Sequence, residues 1–401
     1  MIIFSGFKYL HVKVKKKNEI TYMIEKKEIQ NILDEYEYKK IKVAAVASHS
    51  ALDTFDGAKE EGFKTIAICQ KGREKTYANY FKCKKIGKRF IGCIDDAWTF
   101  NKFDEILKEE NQKKLRKENV IFIPNRSFTS YCSIKEIEEN FYIPMFGSRR
   151  LLGVEERGGE RDYYWLLEKA HLPYPEKIED AREINELCIV KLHHAVKKLE
   201  RGFFTCSSYK EYKEKAEKLI KLGVITKEDL EKARIEKYVI GPVFNLDFFY
   251  SPILKQIELL GIDWRFETSL DGHVRLPALQ QLSLPEKQKI PEYTVCGHNS
   301  ATLRESLLEK VFILAEKFVD ACKKYYEGII GPFCLQTCID KDLNFYIYDI
   351  APRIGGGTNI HMAVGHPYGN ALWRCNMSTG KRIAMEIKMA IEEDKLKEIV
   401  S

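Results

Sequence analysis

The chain has 401 residues, of which 44% are hydrophobic and 31% are charged, and its formal net charge at neutral pH is +7. This length predicts about two or three domains, and the hydrophobic content excludes wholesale disorder and a fibrous fold. The mild basic excess suits phosphorylated small molecules as well as nucleic acid and selects neither.

The cysteines and the uncharged segments indicate the cellular compartment of the protein and the kinds of site that it lacks. None of the eleven cysteines belongs to a C-x-x-C pair, so we expect reduced thiols, with neither a disulfide framework nor a zinc site. The longest uncharged stretch, residues 354–373, is rich in glycine and predicts a loop rather than a membrane span. No basic stripe interleaved with aromatic residues appears. We therefore expect a cytoplasmic protein that binds neither membranes nor nucleic acid.

The first part of the chain predicts a parallel sheet. The residue pattern of residues 1–22 differs from that of the rest of the chain. We interpret these residues as an optional or mis-assigned extension before a functional start at Met23. Continuous apolar runs are typical of strands buried on both faces, and a β-α-β order indicates right-handed crossovers. We predict an α/β, doubly wound domain over residues 23–147. Its predicted strands lie at 41–47, 65–69 and 120–123, and its predicted helices at 24–36 and 51–61.

The second part, residues 148–401, predicts an α+β region. Thr226 with Asp229 is typical of a helix capping box. The predicted helices lie at 161–170, 209–222, 307–322 and 380–393, and the predicted strands at 188–192, 237–250, 257–262, 333–339 and 345–350.

Two polar segments come directly after strands of the predicted parallel sheet. His49 lies between two serines at the end of the first strand, where open α/β sheets bind ligands and a helix amino terminus favours phosphate. The alternative is a capping serine, Ser50, beside an ordinary turn histidine. Asn125, Arg126 and Ser127 come after another strand and could reach the same ligand, although an ordinary polar loop is the commoner case.

Lys191 is a lysine within an otherwise apolar strand, so its ammonium needs a partner. A nucleotide phosphate is one candidate, and an edge strand that lets the lysine reach water is the other. The adjacent His193 and His194 alternate faces on an extended chain and are weak support for a metal site.

Two further segments carry polar groups that a ligand could use. The segment Glu236 to Val239 could offer its backbone N–H and C=O groups to a purine edge, although the pattern is short. Asp263, Arg265 and Glu267 alternate along a strand and so share one face. Such a face is either a binding surface or a solvated set of cross-strand ion pairs.

Gln336 and Asp349 lie on consecutive predicted strands. With a two-residue turn at positions 341–342, Gln336 opposes Ile347, and Asp349 lies on the same face two residues further along. An amide oxygen and a carboxylate beside a triphosphate suit Mg²⁺. Arg353 and glycines 355–357 come shortly after Asp349, and the glycines would let the backbone approach a phosphate.

These segments, taken together and in this order, resemble the archaeal-type, formate-dependent 5-formaminoimidazole-4-carboxamide ribonucleotide synthetases of the ATP-grasp superfamily. The resemblance covers residues 23 to 401. The stretches that carry it are SHSALDTFDGAKEEGF (48–63), IPMFGSRR (143–150), FFYSPILKQIELLGIDWRFETSLDGHVRLPA (248–278), LRESLL (303–308), GPFCLQ (331–336), APRIGGGTN (351–359) and RIAMEIKMAI (382–391).

The resemblance implies an α/β pre-ATP-grasp domain followed by an α+β ATP-grasp fold, whose two subdomains within residues 148–401 enclose ATP. It implies a ligase of purine biosynthesis that formylates 5-aminoimidazole-4-carboxamide ribonucleotide with ATP and formate, and it implies homo-oligomers. By matching position, the ribonucleotide would contact His49, Ser127 and His298. ATP would contact Lys191, Glu236, Lys237, Tyr238, Val239 and Glu267, and Mg²⁺ or Mn²⁺ would bind Gln336 and Asp349. The resemblance implies no nucleophilic side chain.

Three positions depart from the family pattern. Residues 193–200 are basic and bulky where the family has a glycine-rich phosphate loop, His298 replaces an asparagine, and Asp349 replaces a glutamate. Two alternatives therefore accompany the leading hypothesis: an ATP-grasp ligase for a different carboxylate and amine, or a non-catalytic nucleotide-binding relative.

Overall fold

The structure, a computed structural model, describes residues 13–16, 19–192, 203–285, 288 and 293–401. The predicted histidine pair at 193–194 and the basic loop after Lys191 lie outside these residues. Across the described part of the chain, no helix has both the length and the apolar character that spanning a membrane requires.

The amino-terminal part contains two small antiparallel hairpins and a four-stranded parallel sheet flanked by helices. The strands are β1 (Lys13–Lys16), β2 (Glu19–Tyr22), β3 (Lys42–Val46), β4 (Lys64–Gln70), β5 (Lys84–Ile86), β6 (Arg89–Ile91), β7 (Asp96–Phe100) and β8 (Val120–Phe122). The helices are α1 (Lys26–Asp34), α2 (Ala51–Glu60), α3 (Glu109–Lys117), α4 (Arg126–Tyr131) and α5 (Ile134–Asn140).

The parallel sheet has the strand order β7-β4-β3-β8, which confirms the predicted α/β architecture. Lys42 pairs with both Lys64 and Val120, so the carboxyl ends of these parallel strands share one edge of the sheet. The loops that carry His49 and Arg126 start at that edge. Strands β3, β4 and β8 contain apolar residues that are buried on both faces, as the continuous apolar runs predicted, whereas the edge strand β7 is partly exposed.

The rest of the chain forms two antiparallel sheets and eight helices among the described residues. The strands are β9 (Lys177–Ile178), β10 (Cys188–Lys191), β11 (Phe203–Cys206), β12 (Arg234–Lys237), β13 (Val243–Ser251), β14 (Gln256–Thr268), β15 (Tyr293–Ser300), β16 (Gly331–Ile339) and β17 (Phe345–Ala351). The helices are α6 (Tyr163–Lys169), α7 (Tyr209–Lys221), α8 (Lys227–Glu231), α9 (Leu270–Val274), α10 (Ala278–Ser283), α11 (Leu308–Tyr325), α12 (Pro367–Trp373) and α13 (Thr379–Glu392).

The smaller sheet has the order β11-β10-β12-β9 and the larger one β15-β14-β13-β16-β17. The single strand predicted over 237–250 is wrong, because β12 and β13 belong to different sheets. Gly241 and Pro242 interrupt the strand pattern between β12 and β13. A Cβ on Gly241 would lie 1.9 Å from the Ile339 carbonyl oxygen. The predicted capping box at Thr226 and Asp229 is confirmed, with Thr226 accepting a hydrogen bond from the Asp229 amide.

The carboxyl-terminal helix α13 returns to the parallel sheet. The amide of Gly380 donates to Asp53 of α2 at 3.0 Å, and a Cβ on Gly57 would lie 2.1 Å from the Lys381 nitrogen. Ile383 and Ile387 join the same buried cluster as Val43. The chain end therefore helps to hold the first sheet beside the larger antiparallel sheet, and the cleft between them contains the candidate site.

Candidate functional site

A cleft of about 640 Å³ opens between the carboxyl edge of the parallel sheet and the five-stranded sheet. His49 and Arg126 line it from the parallel sheet. The five-stranded sheet and the segments next to it contribute Asn245, Asp247, Asp263, Arg265, His298, Gln336, Asp349, Arg353, Gly355, Gly356, Gly357 and Asn359. Both signs of charge are present, which suits a ligand that carries phosphate together with hydrogen-bonding groups.

His49 occupies the left-handed backbone region, with φ of 57°. Its Nδ1 lies 3.2 Å from the Ser50 hydroxyl, and its carbonyl accepts a hydrogen bond from Asn359 at 2.8 Å. Ser50 makes no side-chain cap to α2, so the capping interpretation is not what the structure shows. Burial lowers the pKa of His49 well below its usual range, and the charge of Arg353 lowers it further. The imidazole is therefore neutral near pH 7.

Glycines 355–357 pack directly on side chains at the cleft floor. A Cβ on Gly355 would lie 3.0 Å from Asp247 Oδ1, one on Gly356 2.8 Å from His49 Nε2, and one on Gly357 2.1 Å from Asp263 Cγ. The glycine run is thus explained by close protein packing. The predicted approach of this backbone to a phosphate stays a prediction.

Gln336 and Asp349 are directly paired across β16 and β17, so they face the same way. The expected pairing of Gln336 with Ile347 is wrong: Ile347 pairs with Thr337, and a β-bulge comes next. The extra residue of the bulge is Tyr348, whose carbonyl accepts hydrogen bonds from the Tyr163 hydroxyl at 3.2 Å and from Lys191 Nζ at 3.4 Å. Gln336 and Asp349 still lie on one face, because the pairing differs from the predicted one by one residue and the bulge adds a second residue.

Asp263 is the centre of a polar cluster on the cleft floor. Its Oδ1 accepts hydrogen bonds from Asn245 Nδ2 at 2.8 Å and from His298 Nδ1 at 2.6 Å. Burial raises the pKa of the neighbouring Asp247 well above its usual range, and the charge of Asp263 raises it further. The Oδ2 atoms of both carboxyl groups are buried without a donor among the described residues. A proton kept on Asp247 allows two carboxyl groups to share this space.

Arg265 connects this cluster with the Gln336–Asp349 pair. Its Nη2 donates to Gln336 Oε1 at 2.6 Å, and its Nη1 lies 3.9 Å from Glu267 Oε2. Asp263, Arg265 and Glu267 all lie on β14, so the predicted common face is confirmed in part by these contacts. Asp263 and Arg265 of this face line the cleft, and the face is not a solvated surface, since Asp263 is fully buried.

Lys191 and Glu236 form a buried ion pair beside the cleft. The Lys191 ammonium lies 2.6 Å from Glu236 Oε2 and donates to the Tyr164 hydroxyl at 2.9 Å. Burial lowers the pKa of Lys191, although the charge of Glu236 opposes that shift. The edge-strand interpretation is wrong, because β10 lies between β11 and β12 and Lys191 is 6% exposed. Through the Tyr348 carbonyl, this pair lies next to Asp349.

The segment from Glu236 to Val239 uses much of its hydrogen-bonding capacity within the protein. The amides of Lys237 and Tyr238 donate to the carbonyls of Glu176 and Leu187, each at 2.9 Å. Lys237 Nζ also pairs with Glu176 and Glu186 at the surface. Within the described residues, the N–H of Val239 has no recorded backbone or side-chain acceptor. The contact between this segment and a purine edge stays a prediction.

The structure brings together some of the predicted residues and leaves others apart. His49, His298, Gln336 and Asp349 line one cleft. Ser127 is buried in the first turn of α4, and its neighbour Arg126 lines the cleft in its place. Lys191, the segment from Glu236 to Val239, and Glu267 lie outside that lining.

Sequence reasoning missed several polar residues of the site. Asn245 and Asp247 lie on β13, inside the region predicted as one long strand, and Glu155 binds Arg353 at 2.5 Å. The alternation of Asn245 and Asp247 with apolar neighbours was a usable signal, because two polar residues on one face of a core strand require partners. Glu155 belongs to no comparable pattern and required the tertiary structure.

Comparisons with known proteins agree along nearly the whole chain. Residues 43–178 match a family model described as a protein of unknown function (DUF1246), and residues 211–401 match one described as a domain of unknown function (DUF1297). A 5-formaminoimidazole-4-carboxamide-1-β-D-ribofuranosyl 5′-monophosphate synthetase from Methanocaldococcus jannaschii is 41% identical over 381 residues, which is 94% of this chain and 100% of the relative.

Solved structures support the same assignment. An IMP biosynthesis protein, PurP, from Thermococcus kodakaraensis matches with a TM-score of 0.65 and 31% identity, over 90% of this chain and 100% of that one. The biotin carboxylase domain of a Hydrogenobacter thermophilus 2-oxoglutarate carboxylase, solved with MgADP, matches with a TM-score of 0.55 and 17% identity, over 86% and 69% of the two chains. The second likeness concerns the fold. The predicted ATP-grasp architecture is confirmed, and the chain belongs to the family of 5-formaminoimidazole-4-carboxamide ribonucleotide synthetases, the ATP-grasp ligases of purine biosynthesis.

Proposed function

We propose that this protein formylates the 5-amino group of 5-aminoimidazole-4-carboxamide ribonucleotide with formate, and converts ATP to ADP and phosphate in the process. Membership of the synthetase family supports the product. The observation that carries the chemistry is the direct pairing of Gln336 and Asp349 in a cleft whose opposite wall holds His49 and Arg126. We also propose a cytoplasmic location, which the scattered cysteines favour, and homo-oligomers, which the family resemblance implies.

Gln336 and Asp349 fit a hard divalent cation, Mg²⁺ or Mn²⁺. Oδ1 of Asp349 accepts the Ile350 amide at 3.0 Å, which leaves the second carboxylate oxygen for a metal. Gln336 Oε1 keeps a second lone pair beside Arg265. Among the described residues, no group of three or more His, Cys, Asp and Glu side chains has an arrangement that could hold a metal ion without other ligands. This suits Mg²⁺, which takes one or two protein oxygens and completes its shell with phosphates and water. Such a cation would neutralise charge on the triphosphate.

We assign ATP to the region beside the buried Lys191–Glu236 pair, with Val239 as the donor to the base and with Lys237, Tyr238 and Glu267 around it. Burial lowers the pKa of Lys191, and the charge of Glu236 opposes that shift and so favours the ammonium form. A phosphate that approaches Lys191 then meets a charge that is already oriented by Tyr164 and the Tyr348 carbonyl. The ribonucleotide takes the cleft itself, where it would contact His49 and His298. Ser127, the third contact that the family resemblance implies, is next in sequence to Arg126 of the cleft lining.

The chemistry is a consequence of this placement. A formate oxygen attacks the γ-phosphorus, the bond to the β-phosphate oxygen breaks, and ADP leaves, so that formyl phosphate remains. The 5-amino nitrogen then attacks the formyl carbon and phosphate leaves. Arg126, Arg265 and Arg353 provide positive charge around the anions of both steps. Formyl phosphate hydrolyses readily, so the site must exclude water until the amine has attacked.

The test is a reconstitution in which ATP, Mg²⁺, formate and the ribonucleotide are each omitted in turn. We expect stoichiometric ADP and formylated ribonucleotide with the complete set, and loss of the product when any component is absent. Activity that requires a different carboxylate would instead identify another ligase of this fold. Binding of ATP without any turnover would identify a non-catalytic relative.

A further inference from the structure

Arg73 is an exposed arginine at the carboxyl edge of the parallel sheet, and its recorded partners are neutral. It comes three residues after the end of β4. Its Nη2 donates to the Ser48 hydroxyl at 3.3 Å, and its Nη1 donates to the Tyr131 hydroxyl at 3.0 Å. Within the described residues, no carboxylate oxygen is recorded within hydrogen-bond distance of its guanidinium. The charge is therefore available to an anion from outside the protein.

The arginines that line the cleft differ from Arg73 in this respect. Each of them lies near a carboxylate: Arg126 is 2.7 Å from Glu156, Arg353 is 2.5 Å from Glu155, and Arg265 is 3.9 Å from Glu267. An anion that approaches these three groups competes with a carboxylate of the protein, whereas an anion that approaches Arg73 does not.

Aromatic rings hold the Arg73 guanidinium in position. Its central carbon lies 5.6 Å from the centre of the Phe103 ring and 5.9 Å from the centre of the Tyr131 ring. The two rings also pack on each other, with centres 5.1 Å apart, and Phe103 belongs to the buried core of the parallel sheet. A guanidinium that is oriented in advance loses less conformational freedom when a ligand binds.

The group formed by Arg73, Ser48 and Tyr131 offers hydrogen-bond donors and no negative charge. Two of the five N–H groups of Arg73 donate to the hydroxyls, which leaves three for a ligand. Each hydroxyl accepts one of these bonds and has no recorded acceptor of its own in the described part of the chain, so its hydrogen is free to donate. Such donors fit a phosphate dianion, whose oxygens accept hydrogen bonds.

The place of this group in the fold indicates which phosphate it would bind. Asn125 donates to the carbonyls of Val46 and Ser48, at 2.9 and 3.2 Å, and so joins the loop before α2 to the loop before α4. Ser48 is next to His49, which lines the cleft, whereas Lys191 and the proposed metal ligands lie on the other two large sheets. The triphosphate of ATP is assigned to those sheets, which leaves the phosphate of the ribonucleotide for the parallel sheet.

We propose that Arg73, with the hydroxyls of Ser48 and Tyr131, binds the 5′-phosphate of the ribonucleotide and thereby selects the phosphorylated substrate over its riboside. This inference rests on the proposed function. The 5′-phosphate takes no part in the chemistry. Its binding at the edge of the sheet fixes the position of the imidazole ring in the cleft, where the 5-amino group meets the activated formate.

The test compares the ribonucleotide with the riboside, which lacks the phosphate, as substrates of the wild type and of Arg73→Gln. We expect kcat/KM for the ribonucleotide to fall by about 10- to 100-fold in Arg73→Gln, because hydrogen bonds to a charged group are lost. The kcat/KM for the riboside and the KM values for ATP and formate should stay unchanged. Arg73→Lys keeps the charge without the planar fork, so part of the preference for the ribonucleotide should remain.

The matched control is Lys75→Gln, which removes the same charge two residues away. The Lys75 ammonium lies 5.7 Å from the centre of the exposed Tyr80 ring. Because salt screens an exposed charge, we expect kcat/KM for the ribonucleotide to change by less than about twofold in this variant. Equal losses in Lys75→Gln and Arg73→Gln would mean that overall charge attracts the substrate, and would overturn the inference.

A binding measurement separates this inference from the proposed function. Ribose 5-phosphate, titrated calorimetrically with ADP and Mg²⁺ present, should bind about 10- to 100-fold more weakly to Arg73→Gln than to the wild type. If it does so while the complete set of substrates gives no formylated product, the phosphate site is supported and the proposed function is wrong.

Three kinetic results would overturn the inference. An equal loss of kcat/KM for the ribonucleotide and the riboside in Arg73→Gln would make Arg73 a structural residue. An unchanged preference for the ribonucleotide would place its 5′-phosphate elsewhere. A rise in the KM for ATP alone would assign Arg73 to the triphosphate.

Discussion

Strand β14 carries two buried charged clusters, and they differ in how completely they are satisfied. Near its start, Glu258 accepts hydrogen bonds from Arg382 Nη2 at 2.9 Å and from Trp373 Nε1 at 2.8 Å, and Arg382 Nη1 donates to Glu386 at 2.8 Å. None of these three charged side chains is exposed. We call this set of Glu258, Arg382 and Glu386 the closed network.

Further along the same strand, Asp263 belongs to what we call the open cluster, formed with Asp247, Asn245 and His298. Here two carboxylate oxygens are buried without a donor among the described residues, and the imidazole lines a cleft. A fully satisfied network rigidifies a fold, whereas incompletely satisfied groups beside a cleft have capacity left for a ligand or a proton. We therefore expect the closed network to contribute mainly to stability and the open cluster to contribute to ligand binding or proton transfer.

The largest expected effect comes from breaking the closed network with Arg382→Met. Glu258 and Glu386 would be left buried without their cation, so we expect the free energy of unfolding to fall by about 3–5 kcal/mol in urea denaturation. The control is Lys381→Met, which removes a partly exposed pair with Glu60 and should cost at most about 1 kcal/mol. Equal losses in the two variants would contradict the structural role of the closed network.

The second-largest expected effect concerns the proposed metal ligands, Gln336 and Asp349, which lie next to the open cluster. Asp349→Asn should reduce ADP formation at fixed Mg²⁺ by about 100-fold, since even indirect partners of a metal contribute about 10- to 100-fold. The Mg²⁺ concentration needed for half-activation should rise as well. Asp342→Asn, at the exposed turn before β17, is the control and should change neither value. An unchanged Mg²⁺ requirement in Asp349→Asn would remove Asp349 from the metal site.

A smaller effect tests the packing over Asp263. A Cβ at Gly357 would lie 2.1 Å from the Asp263 carboxyl carbon, whereas none of the described atoms lies within 4 Å of a Cβ at Gly272 in α9. Gly357→Ala should therefore lower the free energy of unfolding by about 1–3 kcal/mol through overpacking. Gly272→Ala should leave it unchanged or raise it by up to about 1 kcal/mol. Tolerance of alanine at position 357 would show that the open cluster is loosely packed.

The smallest expected effect concerns the proton on Asp247. Its folded-state pKa is raised by burial and by Asp263, so its stabilising contribution is present below the ordinary aspartate range and is lost as pH rises through the raised pKa. The wild type should lose more unfolding free energy between pH 5 and pH 8 than Asp247→Asn does. Asp271→Asn, at an exposed position, is the control and should show the pH dependence of the wild type. If Asp247→Asn also showed the pH dependence of the wild type, the proton would be held by another group.

The sequence predicted three strands of the parallel sheet, β3, β4 and β8, because they are continuous apolar runs. The fourth strand, β7, was missed because its sequence is partly polar and its residues are partly exposed. It predicted the face shared by Gln336 and Asp349, but with the wrong register, since neither the longer turn nor the bulge at Tyr348 leaves a local pattern. The false strand over 237–250 could have been avoided, because Gly241 and Pro242 are a turn signal.

The electrostatic partners were harder to predict. Lys191 required an anion, but Glu236 lies on β12, which pairs with β10 although the two strands are not consecutive in sequence. Such a pairing cannot be derived from one sequence. Arg382 looked like an ordinary helix residue, although it is fully buried between Glu258 and Glu386. Local periodicity reports which face of an element is apolar, and it does not report which distant charge completes a buried pair.

The central claim is that formate is activated by phosphorylation before it reaches the amine. Supplying formate labelled with ¹⁸O in both oxygens, and measuring the masses of both products, tests this most directly. The account predicts one labelled oxygen in the released phosphate and one in the formylated ribonucleotide. Phosphate without label, formed together with labelled product, would contradict a formyl phosphate intermediate.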